Sequence, residues 1–502
     1  MSMPAEHAPP ILTLADLLQG CADAPPIPIH GVASDSRLLA NGYLFLACQG
    51  ISSHGLDYLV EAKAAGASAV AYDASTADTP EDIGVPMIAV DELGEKLGEI
   101  ASRFHGRPSE ALGVIGVTGT NGKTTVAWLV AQCARLLGER CGYLGTLGYG
   151  VDETESSEGM TTPAAVELHG RLAEFVDQGA SFAAIEVSSH ALSQGRVDGV
   201  HFLATLFTNL TRDHLDYHAN LLEYFETKAR LFLESDTEHR IVNLDSEYGR
   251  QLAERCGQEV VTVSTDFDRD ANTRQHLFVR SVVVNSRGSD IVFVSSWGDG
   301  RFTLPLPGDF NVANAVIVLA LMLKLGVPMN AACEVLSQVQ APPGRMQRVQ
   351  ATGTTVYVDY AHTPDAIESV LRALRAHCRG KLWCVFGCGG ERDAGKRPLM
   401  AKSAERLADS IVITSDNPRM EDPQKIIEEI VSGLDQPKLA TVIEDRAAAI
   451  GWAIDQAAEA DVVLIAGRGH ENYQQVGAER RLFSDYAVAD AALAAGVKGV
   501  EQ

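Results

Sequence analysis

The chain has 502 residues, 46% of them hydrophobic and 21% charged, the profile of a globular protein long enough for about three domains. Its formal net charge of −25 argues against nucleic acid or an anionic membrane as principal partner, because an acidic surface repels phosphates. Nine cysteines form no C-x-x-C pair, no apolar run reaches the ~18 residues of a membrane span, and Met1–Pro10 lacks a basic stretch followed by an apolar core; the expectation is a cytoplasmic protein with no membrane segment, disulfide framework or zinc site.

In chain order, residues 1–108 read as a small α/β unit: helix Leu12–Leu18, strand Gly42–Cys48, helix Tyr58–Ala65 and strand Ala69–Tyr72, with Pro108-Ser-Glu-Ala as a linker. From 109 to 342, apolar strands at Gly113–Val117, Phe182–Val187, Ala204–Asn209 and Arg240–Asn243 alternate with helical stretches, which predicts a largely parallel sheet with crossover helices. Leu277–Val294 is rich in β-branched residues and reads as antiparallel hairpins, and Asn311–Leu325 as a helix. Ala341-Pro-Pro-Gly-Arg marks the next boundary. Residues 343–502 carry strands at Leu382–Phe386, Ser410–Thr414 and Asp461–Ile465, each ending in a polar or glycine-rich loop. In open parallel sheets ligands lie beyond the carboxyl ends of the strands, so these three loops should converge. The first loop lacks the spacing of a dinucleotide fingerprint, and NAD is not expected.

The segment Gly116-Val-Thr-Gly-Thr-Asn-Gly-Lys-Thr-Thr joins an apolar strand to a helical stretch, the arrangement that binds a nucleotide triphosphate. Its glycines at 116, 119 and 122 depart from the ordinary G-x-x-x-x-G-K spacing, which would need glycine at 117. Backbone N–H groups around Gly119, Thr120, Asn121 and Gly122 would face phosphates, Lys123 would neutralise them, and Thr124, followed by Thr125, could ligate Mg²⁺. Glu186 ends an apolar strand where such folds place an acidic residue near the metal, followed by Ser188, Ser189 and His190. Asn209, Asp213, His214, Asp216 and His218 follow another strand; they suit Mg²⁺ or Mn²⁺, or else form a polar helix cap. Lys228 lies on a helix and, from the residues alone, reads as a solvated lysine.

Together Gly116–Thr125, Glu186-Val-Ser-Ser-His, Thr208-Asn-Leu-Thr-Arg-Asp-His-Leu-Asp-Tyr-His, Tyr360-Ala-His-Thr-Pro-Asp-Ala, Asp416-Asn-Pro-Arg and Gly467-Arg-Gly-His-Glu resemble the Mur ligases, over essentially the whole chain. The resemblance implies an α/β protein of three domains. These are a nucleotide-sugar-binding domain (1–108), a central P-loop ATPase-like domain with a mostly parallel sheet (109–342), and a Rossmann-like amino-acid-binding domain (343–502). It implies an ATP-dependent ligase that phosphorylates the D-glutamate carboxylate of UDP-N-acetylmuramoyl-L-alanyl-D-glutamate. The amine of meso-2,6-diaminopimelate then attacks the acyl phosphate, giving an amide for peptidoglycan precursor synthesis. Positioning and charge neutralisation would do most of the work.

By the same resemblance, Thr124, Glu186, His214 and Lys228 as its carbamate would hold two Mg²⁺ ions. Asn311, Arg345, Asp359 and His362 would reach ATP. Ser34, Ser36, Thr161, Thr162, Ser188, Gln194 and Arg196 would hold the nucleotide-sugar peptide. Met160 stands where the family often has asparagine, and the loop at Gly50-Ile-Ser-Ser-His-Gly is not aligned. Diaminopimelate differs from lysine by a far carboxylate, which a guanidinium grips bidentately. Arg392 and Arg419 fit that role, Asp416 and Glu471 fit the ammonium, and Asn417, Pro418 and Gly467 assist. Without the resemblance, Asp416 would cap a proline turn with Arg419 in solvent. A lysine-adding ligase and a folylpolyglutamate synthase-like ligase are the alternatives; a non-catalytic nucleotide sensor and a motor NTPase are opposed by the retained site residues and the loop spacing. The protein is expected to be a monomer.

Overall fold

The computed structural model describes residues 12–50, 53–155, 160–214, 217–267, 273–285, 288–349 and 354–500, the last five by backbone alone. Asp216, Met1–Pro10 and part of the Gly50–Gly55 loop lie outside the described residues. The chain divides into two compact units: Met1–Lys123, Gly138–Val242 and Ser246–Val260 form the first, and Thr124–Leu137, Asn243–Asp245 and Val261–Gln502 the second.

The first unit opens with a four-stranded parallel sheet in the order β1 (Gly31–Ala33), β2 (Tyr43–Ala47), β3 (Ala69–Asp73), β4 (Met87–Val90). Alternate strand residues feed its two faces: Leu44, Leu46, Ala69 and Ala71 pack with Leu14, Leu17, Leu93 and Ile100, while Phe45, Ala47, Val70 and Tyr72 pack with Leu59 and Ala62. Pro108-Ser-Glu-Ala is not a linker. It forms a helical turn, Pro108 and Ser109 are buried, and Ser109 Oγ accepts the His201 N–H at 3.1 Å. Proline at the first helical position suits that turn, which composition alone cannot distinguish from a linker.

A second sheet follows: β5 (Gly113–Thr118), β6 (Cys141–Gly145), β7 (Gly148–Gly150), β8 (Phe182–Glu186), β9 (Phe202–Phe207) and β10 (Thr237–Asn243). In space the order is β10-β9-β5-β8-β6-β7, parallel except for β7. Register places Val117 beside Glu186 and Thr118 beside Phe207, so the carboxyl ends of β5, β8 and β9 form one edge. That edge is where ligands of parallel sheets bind.

In the second unit β11 (Val261–Ser264) runs parallel to β12 (Gln275–Asn285), and β12, β13 (Gly288–Ser295) and β14 (Gly300–Leu304) form antiparallel hairpins, as the β-branched run predicts. The helix Asp309–Lys324 is buried almost all round. The C-terminal sheet has six strands where three are legible in sequence: β15 (Gln347–Val349), β16 (Thr355–Asp359), β17 (Leu382–Phe386), β18 (Ser410–Ile413), β19 (Ala440–Val442) and β20 (Val462–Ala466), in the order β15-β16-β20-β17-β18-β19. All pair in parallel except β15. Leu382, Cys384, Phe386 and Leu464 face the helices Pro364–Arg375, Lys396–Leu407 and Pro423–Val431. Trp383, Val385, Val463 and Ile465 face Arg446–Gln456 and Asp485–Val500. Helices on both faces explain why these strands are continuously apolar. A hairpin, β21 (Tyr473–Val476) and β22 (Glu479–Leu482), follows β20.

Candidate functional site

In the first unit the site grows from the end of β5. Gly119 has φ +146°, and a Cβ there would stand 2.0 Å from Thr208 Oγ1, so only glycine lets the loop pass; Gly122 has φ +88°. The loop is pinned to the segment after β9. Thr120 N–H donates to Asn209 O at 2.8 Å, Asn121 N–H to Asn209 Oδ1 at 3.0 Å, and Thr208 Oγ1 to Asn121 O at 2.6 Å. Lys123 Nζ donates back to the carbonyls of Gly119 and Thr120 at 3.0 and 2.9 Å, which holds its charge over the crown of the loop. Thr124 and Thr125 follow in the first turn of the helix Lys123–Leu136.

Glu186, fully buried, ends β8. Its Oε1 accepts from Tyr143 Oη at 2.6 Å and from the Thr146 N–H at 2.8 Å, and its Oε2 from Thr146 Oγ1 at 3.2 Å. A Cβ on Gly145 would lie 2.2 Å from Oε1. Tyr143, Gly145 and Thr146 carry no motif, and sequence reasoning missed them.

Lys228 corrects the reading of a solvated lysine: it is 1% exposed on the helix Leu221–Leu233. Its Nζ donates to Thr118 Oγ1 at 3.4 Å and lies 4.7 Å from the Tyr224 ring centroid. Burial lowers its pKa well below that of an ordinary lysine, the Lys123 cation adds to this, and Asp213 opposes it. Both effects that lower it disfavour the charged form. His214, at φ +51°, has its pKa lowered first by burial and also by Lys123, His190 and Lys228, against Asp213. Its ring lies 5.3 Å from that of His190 and 5.9 Å from that of Tyr224. Among the described residues no group of three or more His, Cys, Asp and Glu side chains gathers closely enough to hold a metal unaided. Of the predicted ligands, Thr124 offers a hydroxyl, Glu186 a carboxylate, His214 an imidazole and Lys228 a buried amine.

Thr161, Thr162, Ser188, Gln194 and Arg196 form one network. Thr161 Oγ1 meets Thr146 Oγ1 at 3.1 Å, Thr162 Oγ1 donates to Glu186 O at 2.7 Å and accepts the Ser188 N–H at 3.1 Å, and Arg196 donates to Thr162 O at 2.8 Å and Gln194 Oε1 at 2.6 Å. Met160 is half exposed. Ser34 and Ser36 lie elsewhere in this unit, beyond β1, where Asp35 caps the turn Ser36–Leu38.

In the second unit the three loops after β17, β18 and β20 converge. A Cβ on Gly387 would stand 2.3 Å from Thr414 O, and one on Gly467 2.7 Å from Asp416 Oδ2. Asn417 Nδ2 donates to Glu471 Oε2 at 2.7 Å, and Asn417 Oδ1 accepts the Gln475 N–H at 2.8 Å. Burial, then the Asp416 charge, raises the Glu471 pKa. Arg419 reaches the β17 loop, Pro418 is buried, and Arg392 is exposed on the β17 loop. Asp359 spends both carboxylate oxygens on backbone N–H groups, those of Met346 at 2.7 Å and Ala361 at 2.8 Å, so it organises the Arg345 turn. The Arg345 guanidinium lies 4.6 Å from the Tyr360 ring centroid, whose neighbours are His362 and His470. Burial, then Arg345, pushes His470 down to about 4. Asn311, buried, donates to Pro307 O at 2.8 Å at the start of its helix.

Three family models match the chain in turn: Mur ligase family, catalytic domain, over residues 28–105; Mur ligase middle domain over 117–322; and Mur ligase, glutamate ligase domain, over 344–469. A UDP-N-acetylmuramoyl-L-alanyl-D-glutamate–2,6-diaminopimelate ligase from Haemophilus influenzae (strain PittGG) is 44% identical over 468 residues, covering 92% of this chain and 96% of its own. A solved structure of a ligase of that name superposes with a TM-score of 0.73 at 33% identity, covering 97% of this chain and 99% of that one. A folylpolyglutamate synthase from Mycobacterium tuberculosis, solved with ADP and AMPPCP, has a TM-score of 0.60 at 18% identity, covering 81% and 95%; that likeness is one of fold.

Proposed function

The chain belongs to the Mur ligase family, and from that premise we propose that it joins meso-2,6-diaminopimelate to the D-glutamate carboxylate of UDP-N-acetylmuramoyl-L-alanyl-D-glutamate at the expense of ATP. The observation that carries the choice of amino acid is the loop cluster of the second unit. There the Arg419 guanidinium stands with the carboxylates of Asp416 and Glu471, a match for the carboxylate and ammonium at the far end of diaminopimelate. Lysine has no far carboxylate to offer Arg419, which disfavours the lysine-adding alternative.

The glycine loop before Lys123 would cradle the triphosphate, with Lys123 moving from the loop carbonyls to the phosphate oxygens. Phosphorylation of the D-glutamate carboxylate creates an acyl phosphate. Attack by the amine gives a tetrahedral intermediate that expels phosphate and leaves the amide. Thr161, Thr162, Ser188, Gln194 and Arg196, already linked, would fix the peptide end of the nucleotide sugar, and Ser34 and Ser36 the uridine. Asn311, Arg345 and His362 would contact ATP, with Asp359 holding the Arg345 turn.

Two Mg²⁺ ions suit this donor set. Burial, and then the Lys123 charge, disfavours the charged form of Lys228, so its uncharged amine would add CO₂ and release a proton, leaving a carboxylate-like carbamate. Thr124, Glu186, neutral His214 and that carbamate would hold the ions together with phosphate oxygens, since Mg²⁺ is usually bound by one or two carboxylates plus substrate phosphates. The ions would supply charge neutralisation at the phosphates. The division into domains 1–108, 109–342 and 343–502 is supported by the three separate family matches. A cytoplasmic monomer fits this substrate set. Among the described residues no helix is long and apolar enough to cross a membrane. The deciding experiment is amide formation assayed with diaminopimelate against lysine: comparable use of lysine overturns the reading.

A further inference from the structure

We propose that Arg446 is a positioning residue for amino-acid capture, acting through the carbonyls of Ser415 and Ala466 on the two loops that carry Asp416, Asn417, Arg419, Gly467 and Glu471; this rests on the reading of those loops as the amino-acid site. Arg446 opens the helix Arg446–Gln456 and Asp485 opens the helix Asp485–Val500, both on one face of the C-terminal sheet. The two side chains are fully buried and paired in a fork, Nε to Oδ1 and Nη2 to Oδ2, each at 2.7 Å. The same guanidinium donates from Nη2 to Ala466 O at 3.0 Å and from Nη1 to Ser415 O at 3.3 Å. Ala466 is the last residue of β20 and immediately precedes Gly467; Ser415 immediately precedes Asp416.

A buried ion pair is a poor stabiliser, because apolar residues of similar volume commonly serve as well. What apolar residues cannot do is donate at once to a carboxylate and to two carbonyls on separate loops; that needs the rigid, five-donor guanidinium. Lysine would keep the charge and lose the fork. The clasp therefore sets the spacing between the starts of the β18 and β20 loops, whose side chains meet above it in the Asn417–Glu471 bond.

The test uses the full-length enzyme and two variants, Arg446→Lys and the double variant Arg446→Met/Asp485→Leu, the latter removing both charges so that neither is left buried alone. Phosphate release is measured against each substrate in turn. The expected result in both is a KM for diaminopimelate raised about tenfold or more, the loss of one or two hydrogen-bonded contacts' worth of order. The KM values for ATP and the nucleotide sugar stay within twofold, and kcat at saturation stays within a few fold. A merely structural role would move all three KM values together, and that outcome, or an unchanged KM for diaminopimelate in either folded variant, overturns the proposal. Wild type run in parallel separates the failures: no diaminopimelate dependence there overturns the functional reading and this inference with it, whereas normal wild-type kinetics with unmoved variants overturn this inference alone.

Discussion

Arg419 donates through Nη1 to the carbonyl of Gly390 at 2.7 Å, joining the loop after β18 to the loop after β17. Its backbone is fixed as well: φ is +51°, its N–H donates to Gln475 O at 3.1 Å, and its carbonyl accepts the Gly477 N–H at 2.6 Å. A non-glycine residue held in this region is a strained one, maintained by its surroundings. The guanidinium is thus aimed before any ligand arrives, with further N–H donors for a carboxylate. Arg419→Ala should raise the KM for diaminopimelate by about two decades or more, in keeping with the ~2–5 kcal/mol lost when one partner of a desolvated charge pair is removed. Steady-state kinetics with ATP held saturating checks this, and unchanged diaminopimelate kinetics would remove the assignment.

Gly145 offers a test that no motif suggests. A methyl group there would stand 2.2 Å from Glu186 Oε1 and 2.6 Å from Tyr143 Oη, so the carboxylate must move. Gly145→Ala should fold, yet lower kcat about a hundredfold, the usual scale for displacing a reacting or charge-bearing group by ~1 Å. Comparing kcat with the thermal midpoint separates the effects. A variant that melts like wild type and retains full kcat shows that Glu186 need not sit where it does.

Much of this was legible because short-range chemistry leaves local marks. The glycines before Lys123, the apolar run ending at Glu186 and the Asp416-Asn-Pro-Arg turn declare a strand end and a loop without tertiary information. The strands Leu382–Phe386 and Gly113–Val117 stand out for the same reason: buried on both faces, they are continuously apolar. What failed depends on distant partners. Lys228 reads as an ordinary helical lysine, since nothing within its helix announces that Thr118, 110 positions away, lies over its Nζ. Arg446 and Asp485 look like first-turn charges on two helices, and only the fold shows them facing each other. β15 and β19 have three residues each, too few for a period to appear, and their existence depends on the neighbours they pair with.

Lys228 also makes a prediction in which stability and activity move apart. Met fills much the same volume without an amine to desolvate, so Lys228→Met should melt no lower than wild type, while kcat falls by roughly 10²–10³, the cost of removing one preorganised charge-stabilising group. If Lys228 works as its carbamate, wild type assayed in CO₂-depleted buffer should lose activity and regain it with bicarbonate, and Lys228→Met should respond to neither. Full activity in the variant, or indifference of wild type to bicarbonate, counts against the modification.

The pH dependence of stability has an accessible reporter in His201, at the start of the strand Phe202–Phe207. Its Nδ1 meets Asp236 Oδ2 at 2.8 Å and its Nε2 meets Glu238 Oε1 at 3.0 Å, both acceptors on the strand Thr237–Asn243 or next to it. The bond to Asp236 does most to raise the imidazole pKa, Glu238 adds to it, and partial burial opposes both. A folded-state pKa above the unfolded one means that the stabilisation is fully present below the unfolded value, near 6.5, and is lost as pH rises through the folded value. The side chain is a third exposed, so solvent screening limits the effect to about 0.5–1 kcal/mol. His201→Gln should therefore be less stable than wild type at about pH 5.5–6 and should converge on it above pH 8. Denaturant midpoints of the two proteins across that range test the sign: a gap that is flat with pH, or that widens as pH rises, would show that the imidazolium is not what the two carboxylates stabilise.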